Sequence, residues 1–314
     1  MREQIREATD QTIEGLREPG TTTGTRGLGQ ITPGSRQSVT RSAAVTERAQ
    51  NATAPEAAGG WQPNKRALFI GNNDYSPQKR LSKCVNDARE MQKLFADLRH
   101  RLVYDFDLNH DSMRKTFARF KEDIEVGDEL VVSFSGHGVQ VNSELYLLPT
   151  DAPLIGNPLE VSSTCINLHP EIDEMFARGA KMVLAIVDAC RQQMRIDYEH
   201  LYHQGVETGI EVAEQFNSLE KSAIAAPRKS AGVPRTGAYG RGLVFATSHD
   251  TSAIEYGNMQ HGVFTHYFLQ EARVRGRTIQ QVIERVRQQV TVHTQNQQTP
   301  SFHNDLNGDF YFLP

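Results

Sequence analysis

The sequence predicts an α/β fold built on a mainly parallel sheet. Short apolar runs alternate along residues 63–314 with segments of helical periodicity, which is the pattern of helices layered on a sheet. The runs are continuously apolar, as is typical of parallel strands buried on both faces. Two of them lead directly to reactive side chains, His137 and Cys190. Because ligands of such sheets bind beyond the carboxyl ends of the strands, we expect the chemistry at these two ends.

The individual elements follow from the same pattern. The predicted strands are Arg66–Gly71, Leu102–Phe106, Leu130–Phe134, Met182–Val187, Leu243–Thr247 and Asp309–Leu313. The predicted helices cover about 81–98, 111–124, 168–178, 262–275 and 278–292. Asp111 or Ser112 is the expected cap of the second helix, and a hairpin-like stretch is expected through Leu145–Leu148.

Residues 1–62 differ from the rest of the chain in composition. The stretch from Thr21 to Gly60 is rich in Ser, Thr, Ala, Gly and Gln. Such a composition cannot bury enough apolar surface to offset the entropy lost on ordering. We therefore expect a flexible N-terminal segment, 1–62, before a globular domain at 63–314.

Charge and cysteine content exclude several classes of function. The net charge is −4 and the pI is near 6.3, so nucleic acid and anionic membranes are not expected partners. No apolar run approaches the roughly 18 residues of a membrane-spanning helix, and the charged N-terminus lacks a secretion signal. The cysteines Cys84, Cys165 and Cys190 form no paired pattern, which favours a reducing, cytoplasmic location with Cys84 and Cys165 as packing residues.

The two strand ends suggest nucleophilic catalysis. Cys190 would attack a carbonyl as the thiolate, and His137 would accept the thiol proton and return it to a leaving amine. The backbone N–H groups of Gly138 and Cys190 would form the oxyanion hole. A single histidine or cysteine at a strand end is more often structural, so the prediction rests on the two occurring together.

Eight segments carry a resemblance to a known family. They are KRALFIGNNDY (65–75), CVNDAREM (84–91), SFSGHG (133–138), LLPTDAP (147–153), VDACR (187–191), FATSHDTSAIEYG (245–257), HGVFTHYFL (261–269) and GDFYF (308–312). In this order they resemble the caspase-like cysteine peptidases, and within them the paracaspases and metacaspases. The resemblance implies a caspase-like three-layer sandwich with a central, mainly parallel six-stranded sheet, and it implies His137 and Cys190 as the catalytic dyad.

The same resemblance implies a substrate preference. In paracaspases an acidic set lines the pocket for the substrate residue before the cleaved bond (P1), and it maps here onto Asp87, Asp188 and Glu255. Carboxylates that share a pocket favour a cation, and the planar guanidinium suits them best. We expect protein or peptide substrates cleaved after Arg, then Lys. The alternatives are a solvated helix face for Asp87 and a loop carboxylate for Glu255.

The chain also departs from related patterns. Asp188 and Gln192 stand where animal caspases carry a glutamine and a glycine. Arg191-Gln192-Gln193 replaces the His-Ser-Gly that usually follows the metacaspase cysteine, which favours the paracaspase-like branch and weakens any transfer of calcium activation. No acidic loop has EF-hand spacing, and His200 and His203 lack further ligands for zinc. We therefore expect no metal and no other cofactor.

The resemblance divides the domain into a large-subunit-like part at about 63–204, a linker at about 205–241 and a small-subunit-like part at about 242–314. The linker carries Lys221, Arg228, Lys229, Arg235 and Arg241. Because exposed loops are favoured sites of proteolysis, the linker and the pro-segment, 1–62, are candidates for self-cleavage.

Two other functions compete with an Arg-directed peptidase. One is a catalytically silent scaffold that binds a regulatory protein through the N-terminal segment, and the other is an Asp-specific caspase. The complete dyad argues against the first, and the acidic pocket set argues against the second. The strand nearest the C-terminus pairs across a dimer in some caspase-like folds, so a homodimer is a further candidate partnership.

Overall fold

The computed structural model describes residues 62–76, 79–141, 144–153, 158–189, 192–194, 237–248 and 253–314. The strands are β1 Lys65–Gly71, β2 Arg101–Phe106, β3 Glu129–Gly136, β4 Gly138–Val141, β5 Glu144–Leu147, β6 Ile166–Asn167, β7 Met182–Ala189, β8 Gln192–Met194, β9 Tyr239–Phe245 and β10 Ser301–Asn307. The helices are α1 Cys84–Asp97, α2 His110–Glu122, α3 Pro158–Thr164, α4 Leu168–Ala177, α5 Val263–Glu271 and α6 Ile279–His293.

Six of the strands form the central sheet, in the order β10-β9-β7-β3-β1-β2. The five strands from β9 to β2 run parallel, and β10 is antiparallel to β9 at the edge. β3 and β7 are buried along almost their whole length, which explains why they appear in the sequence as continuous apolar runs. The predicted α/β fold with a mainly parallel six-stranded sheet is confirmed.

Helices cover both faces of this sheet. In β1, Ala67 and Phe69 pack into one core with α1, α5 and α6, whereas Leu68 and Ile70 pack into a second core with α2 and α4. Because successive strand residues point to opposite faces, one short apolar run supplies both cores. The result is the three-layer sandwich expected from the resemblance.

A smaller sheet, ordered β6-β5-β4-β8, extends from the carboxyl end of β3. β4 and β5 form an antiparallel hairpin, which confirms the hairpin-like stretch predicted through Leu145–Leu148. β4 also pairs in parallel with β8, the strand that follows β7 in the chain. The small sheet therefore joins the chain continuations of β3 and β7, the two strands that lead to His137 and Cys190.

The predicted last strand, Asp309–Leu313, is wrong. The final strand is β10, whose polar sequence suits an exposed edge because only its backbone must pair with β9. Residues 309–313 contribute one isolated bridge, and Phe310 and Phe312 are buried in the core. The apolar residues of this stretch indicate that it is buried, and they do not indicate a strand.

Two other boundaries also differ. The cap of α2 is Asn109, whose Oδ1 accepts a hydrogen bond from the Ser112 backbone N–H at 2.9 Å, and not Asp111 or Ser112. β9 begins at Tyr239, so Arg241 lies in a strand and pairs with Asp173 rather than lying in a loop.

Several sequence predictions concern residues outside the described ranges. They are residues 1–61 of the pro-segment, residues 205–236 of the linker, and His200 and His203. Among the described helices, none combines the length and the apolar composition needed to cross a membrane.

Candidate active site

His137 lies between two strands at the carboxyl edge of the central sheet. β3 ends at Gly136 and β4 begins at Gly138, so the imidazole is carried by the residue that connects the two sheets. Its Nε2 is 2.6 Å from the carbonyl oxygen of Lys79. A carbonyl oxygen only accepts, so Nε2 carries the proton and Nδ1 is the acceptor in the neutral ring. Burial lowers the pKa of His137, which keeps the ring neutral at pH 7 and able to take up a proton.

The Tyr75 hydroxyl holds the backbone at this position. It accepts a hydrogen bond from the His137 N–H at 2.9 Å and donates to the Leu148 carbonyl at 3.0 Å. The hydroxyl thus replaces a direct hydrogen bond between the His137 N–H, just before β4, and the Leu148 carbonyl, just after β5. The Tyr75 ring lies 4.5 Å from the imidazole, centroid to centroid. Gly136 is needed beside it, because a Cβ there would come 2.6 Å from the Tyr75 hydroxyl oxygen.

Cys190 lies outside the described residues. Its predecessor in the chain, Ala189, ends β7 and is the register partner of Gly136, the residue before His137. The described structure thus brings the residues preceding the predicted nucleophile and the predicted base to neighbouring positions at one sheet edge.

Gly138, the predicted oxyanion donor, opens β4 opposite Leu147. The Leu148 N–H donates to the His137 carbonyl at 3.0 Å. In an antiparallel ladder this makes Gly138 and Leu147 a non-hydrogen-bonded pair. The Gly138 N–H therefore points away from β5.

The three predicted pocket acids line one cavity with His137. Asp87 comes from α1, Asp188 from β7 and Glu255 from the segment before α5. The cavity has an empty volume of about 360 Å³, part of it open to solvent. Its other lining residues are Leu81, Cys84, Ser135, Gly136, Ala253, Ile254 and Gly262.

Asp188 faces the cavity from the carboxyl end of β7. Thr265 Oγ1 donates a hydrogen bond to its Oδ2 at 2.7 Å, and Ser135 is its register partner on β3. Burial, reinforced by the nearby Asp87 carboxylate, raises the pKa of Asp188 to about 7. The Ser135 hydroxyl is buried and has no hydrogen-bond partner within the described part of the chain.

Asp87 is 2% exposed, so the alternative of a solvated helix face is wrong. Its Oδ1 lies 2.9 Å from Nδ1 of His261, and the Gly262 N–H donates to both carboxylate oxygens at 3.2–3.3 Å. Burial raises the pKa of Asp87, and the His261 contact opposes that rise.

Glu255 is held against the start of α1. Ser82 Oγ donates to its Oε2 at 2.9 Å, and the Cys84 thiol lies 3.7 Å from its Oε1. Burial and the neighbouring acids raise the pKa of Cys84, so it stays a thiol in the pocket wall. Lys83 Nζ donates to the Met259 carbonyl at 2.6 Å, which fastens the segment that carries Glu255 to the same helix.

Sequence reasoning missed Tyr75, Lys79, Ser135, His261 and Thr265 at this site. Tyr75, Ser135 and His261 lie in motifs that carried the resemblance, GNNDY, SFSG and HGVFTH. Their chemistry depends on contacts that their own segments do not reveal. Within the described ranges, no group of three or more His, Cys, Asp and Glu side chains could hold a metal ion.

Comparisons with known proteins agree with this architecture. The family model of the caspase domain matches residues 64–311. The human mucosa-associated lymphoid tissue lymphoma translocation protein 1 is 27% identical over 136 residues, which are 43% of this chain and 16% of that protein. Metacaspase-1 of Plasmodium falciparum is 27% identical over 156 residues, 44% of this chain and 25% of that protein. This chain therefore spans only a quarter or less of these two relatives.

A solved structure of a Geobacter sulfurreducens protein covers 78% of this chain and 94% of its own, with 16% identity and a TM-score of 0.48. The caspase-domain match extends over most of the chain and joins the segments that hold His137, the acidic cavity and β10. This chain belongs to the caspase-domain family of cysteine peptidases and is of the paracaspase and metacaspase type.

Proposed function

We propose that this chain is a cysteine endopeptidase that cleaves after Arg, and less rapidly after Lys. Cys190 is the nucleophile, His137 the general base and acid, and Asp87, Asp188 and Glu255 bind the P1 side chain. The observation that carries the proposal is the cavity in which all three carboxylates and the His137 imidazole lie together.

The chemistry proceeds in two steps. The Cys190 thiol gives its proton to Nδ1 of His137, and the sulfur adds to the scissile carbonyl carbon. The developing oxyanion accepts hydrogen bonds from the N–H groups of Gly138 and Cys190. His137 then protonates the leaving amine as the C–N bond breaks, and water hydrolyses the thioester with His137 as base. The Lys79 carbonyl supports this role because it leaves Nδ1 as the basic atom.

The preference for Arg follows from the charge of the cavity. Within the described residues, none of the three acids forms an ion pair with a Lys or Arg side chain. A guanidinium brings a planar fork of five N–H donors to these carboxylates, whereas an ammonium brings one compact charge. An aspartate at P1 would add a fourth carboxylate to the pocket and be repelled.

The test uses the full chain and fluorogenic peptides that differ only at P1, with Arg, Lys or Asp. We expect the Arg peptide to be cleaved faster than the Lys peptide and the Asp peptide not to be cleaved. The Cys190→Ala variant should cleave none of them. Faster cleavage after Asp would refute the specificity. An Arg peptide left intact by the wild-type chain would favour the silent scaffold.

We further propose self-cleavage in the pro-segment or the linker. Basic residues in segments whose composition predicts a loop would match the proposed specificity, and Arg241 is removed from the candidates because it lies in β9. Wild-type protein incubated beside Cys190→Ala should develop additional bands on a gel. Identical band patterns would contradict this proposal.

A further inference from the structure

His261 contacts one of the acids that line the cavity, Asp87. Its Nδ1 lies 2.9 Å from Asp87 Oδ1 and 3.1 Å from Asn86 Nδ2, and its side chain is 13% exposed. Asn86 Nδ2 donates its hydrogen bond to the Gln260 carbonyl at 2.9 Å. The segment before α5 is thus joined to α1 on the side of the helix that carries Asp87.

The proton on His261 follows from its partners. An ionised carboxylate can only accept a hydrogen bond, so Nδ1 must carry the proton that faces Asp87. His261 is the nearer donor to Oδ1, at 2.9 Å, while the Gly262 N–H is shared between Oδ2 at 3.2 Å and Oδ1 at 3.3 Å. Because Asp87 is almost fully buried, loss of the His261 donor would leave Oδ1 with only the longer, shared hydrogen bond from Gly262.

The next residue places two acids side by side. A Cβ on Gly262 would lie 3.2 Å from Asp87 Oδ2 and 3.3 Å from Asp188 Oδ2, so both oxygens border the same small space. Only a residue without a side chain leaves that space open. The pair His261-Gly262 therefore fixes one carboxylate and keeps room beside the second.

We propose that His261 is a positioning residue that sets the orientation of the Asp87 carboxylate and thereby the preference for Arg over Lys at P1. This inference rests on the proposed function. A guanidinium needs carboxylate oxygens at defined angles to use its planar fork, whereas an ammonium can rotate to meet a displaced oxygen. Loss of the His261 donor should therefore weaken the binding of substrates with Arg at P1 more than the binding of substrates with Lys at P1.

The test compares two substitutions in the full chain. His261→Leu removes the donor, and His261→Asn keeps an N–H close to the position of Nδ1. For His261→Leu we expect a roughly 10-fold higher KM for the Arg peptide with kcat within about 2-fold, because a uniform binding interaction is lost. The Arg/Lys ratio of kcat/KM should fall about 5-fold, and His261→Asn should restore both values.

A matched control is His266→Leu, on α5, whose ring faces Gln270 rather than the cavity. It should leave KM and the Arg/Lys ratio unchanged. Thermal unfolding of each variant measures the folded fraction, and His261→Ala provides a second variant without the donor.

Each outcome decides the inference. Loss of kcat with equal effects on Arg and Lys peptides, or failure of His261→Asn to restore the ratio, would mean that His261 is merely structural. An unchanged KM in His261→Leu and His261→Ala would refute the positioning role while the wild-type Arg turnover still supports the proposed function. A wild-type chain that cleaves neither Arg nor Lys peptides would overturn both.

Discussion

The two ends of the central sheet both bury charged groups, but they do so with opposite partners. At the amino end, Arg66 Nε meets Asp128 Oδ2 at 2.5 Å with both side chains 1–2% exposed, and Lys181 meets Glu129 at 2.8 Å. At the carboxyl end, Asp87 and Asp188 meet hydroxyl, backbone N–H and imidazole donors instead of Lys or Arg.

This difference separates a structural use of buried charge from a functional one. A paired buried charge is compensated within the fold, so removing one partner destabilises the protein. Carboxylates without a cation raise each other's pKa and cost stability, as Asp188 shows. Such a cost is retained where a ligand can later supply the cation, so the two ends should respond to substitution in opposite ways.

The largest effect on activity is expected from Asp188→Asn at the carboxyl end. Losing one carboxylate that faces the guanidinium should lower kcat/KM for an Arg peptide by about 100-fold, or roughly 3 kcal/mol. The raised pKa means that the folded state binds the Asp188 proton more tightly than the unfolded chain does, so wild-type stability falls as pH rises through about 7. Asp188→Asn should therefore be at least as stable as wild type at pH 8.

Steady-state kinetics and urea unfolding at pH 8 measure the two parts. The control is Asp105→Asn on the edge strand β2, which loses an ion pair with Arg119 of α2. This variant should keep its turnover. A strongly destabilised Asp188→Asn protein would show that the carboxyl end uses its charges as the amino end does.

Arg66→Met tests the amino end. It leaves Asp128 buried without its cation, so the free energy of unfolding should fall by about 3–5 kcal/mol. Arg80→Met, which breaks an ion pair with Asp74 in which both side chains are more than 60% exposed, should cost less than about 1 kcal/mol. Urea denaturation distinguishes them, and equal losses would contradict the assignment of Arg66 as a structural charge.

Tyr75→Phe tests the uncharged hydrogen bonds that hold the His137 backbone at the carboxyl end. Asn72 Nδ2 still donates to the Leu148 carbonyl at 3.2 Å, so the group left without a partner is the His137 N–H. A shifted imidazole should reduce kcat about 10-fold with little change in KM. Tyr104→Phe on β2 is the control, and a wild-type kcat in Tyr75→Phe would show that the ring alone positions His137.

The smallest effect concerns a buried imidazole at the amino end. Burial lowers the pKa of His100 to about 3, whereas the unfolded chain titrates near 6.5. Its contribution to stability is complete above pH 6.5 and declines as pH falls toward 3, by about 1.4 kcal/mol per unit. His100→Phe should remove this loss and gain about 1 kcal/mol relative to wild type between pH 7.5 and 5.5, measured by urea unfolding.

The elements that could be predicted from the sequence were those whose own residues carry a clear pattern. β1, β3 and β7 are buried on both faces, so their sequences are continuous apolar runs that predict strands without further information. β10 escaped prediction because an edge strand needs only backbone pairing, and the apolar segment after it was mistaken for the strand. The acids of the cavity were predicted through the resemblance, but their partners His261 and Thr265 were not.

By itself the sequence determined the class of the fold, the strands that lead to His137 and Cys190, and the acidic character of the pocket. These follow from side-chain pattern and family motifs within short segments. The tertiary structure decided that Tyr75 bridges the ends of two strands and that His261, 174 residues from Asp87, orients it. Hydrogen bonds of this kind depend on distances between segments far apart in the chain, and no local pattern encodes those distances.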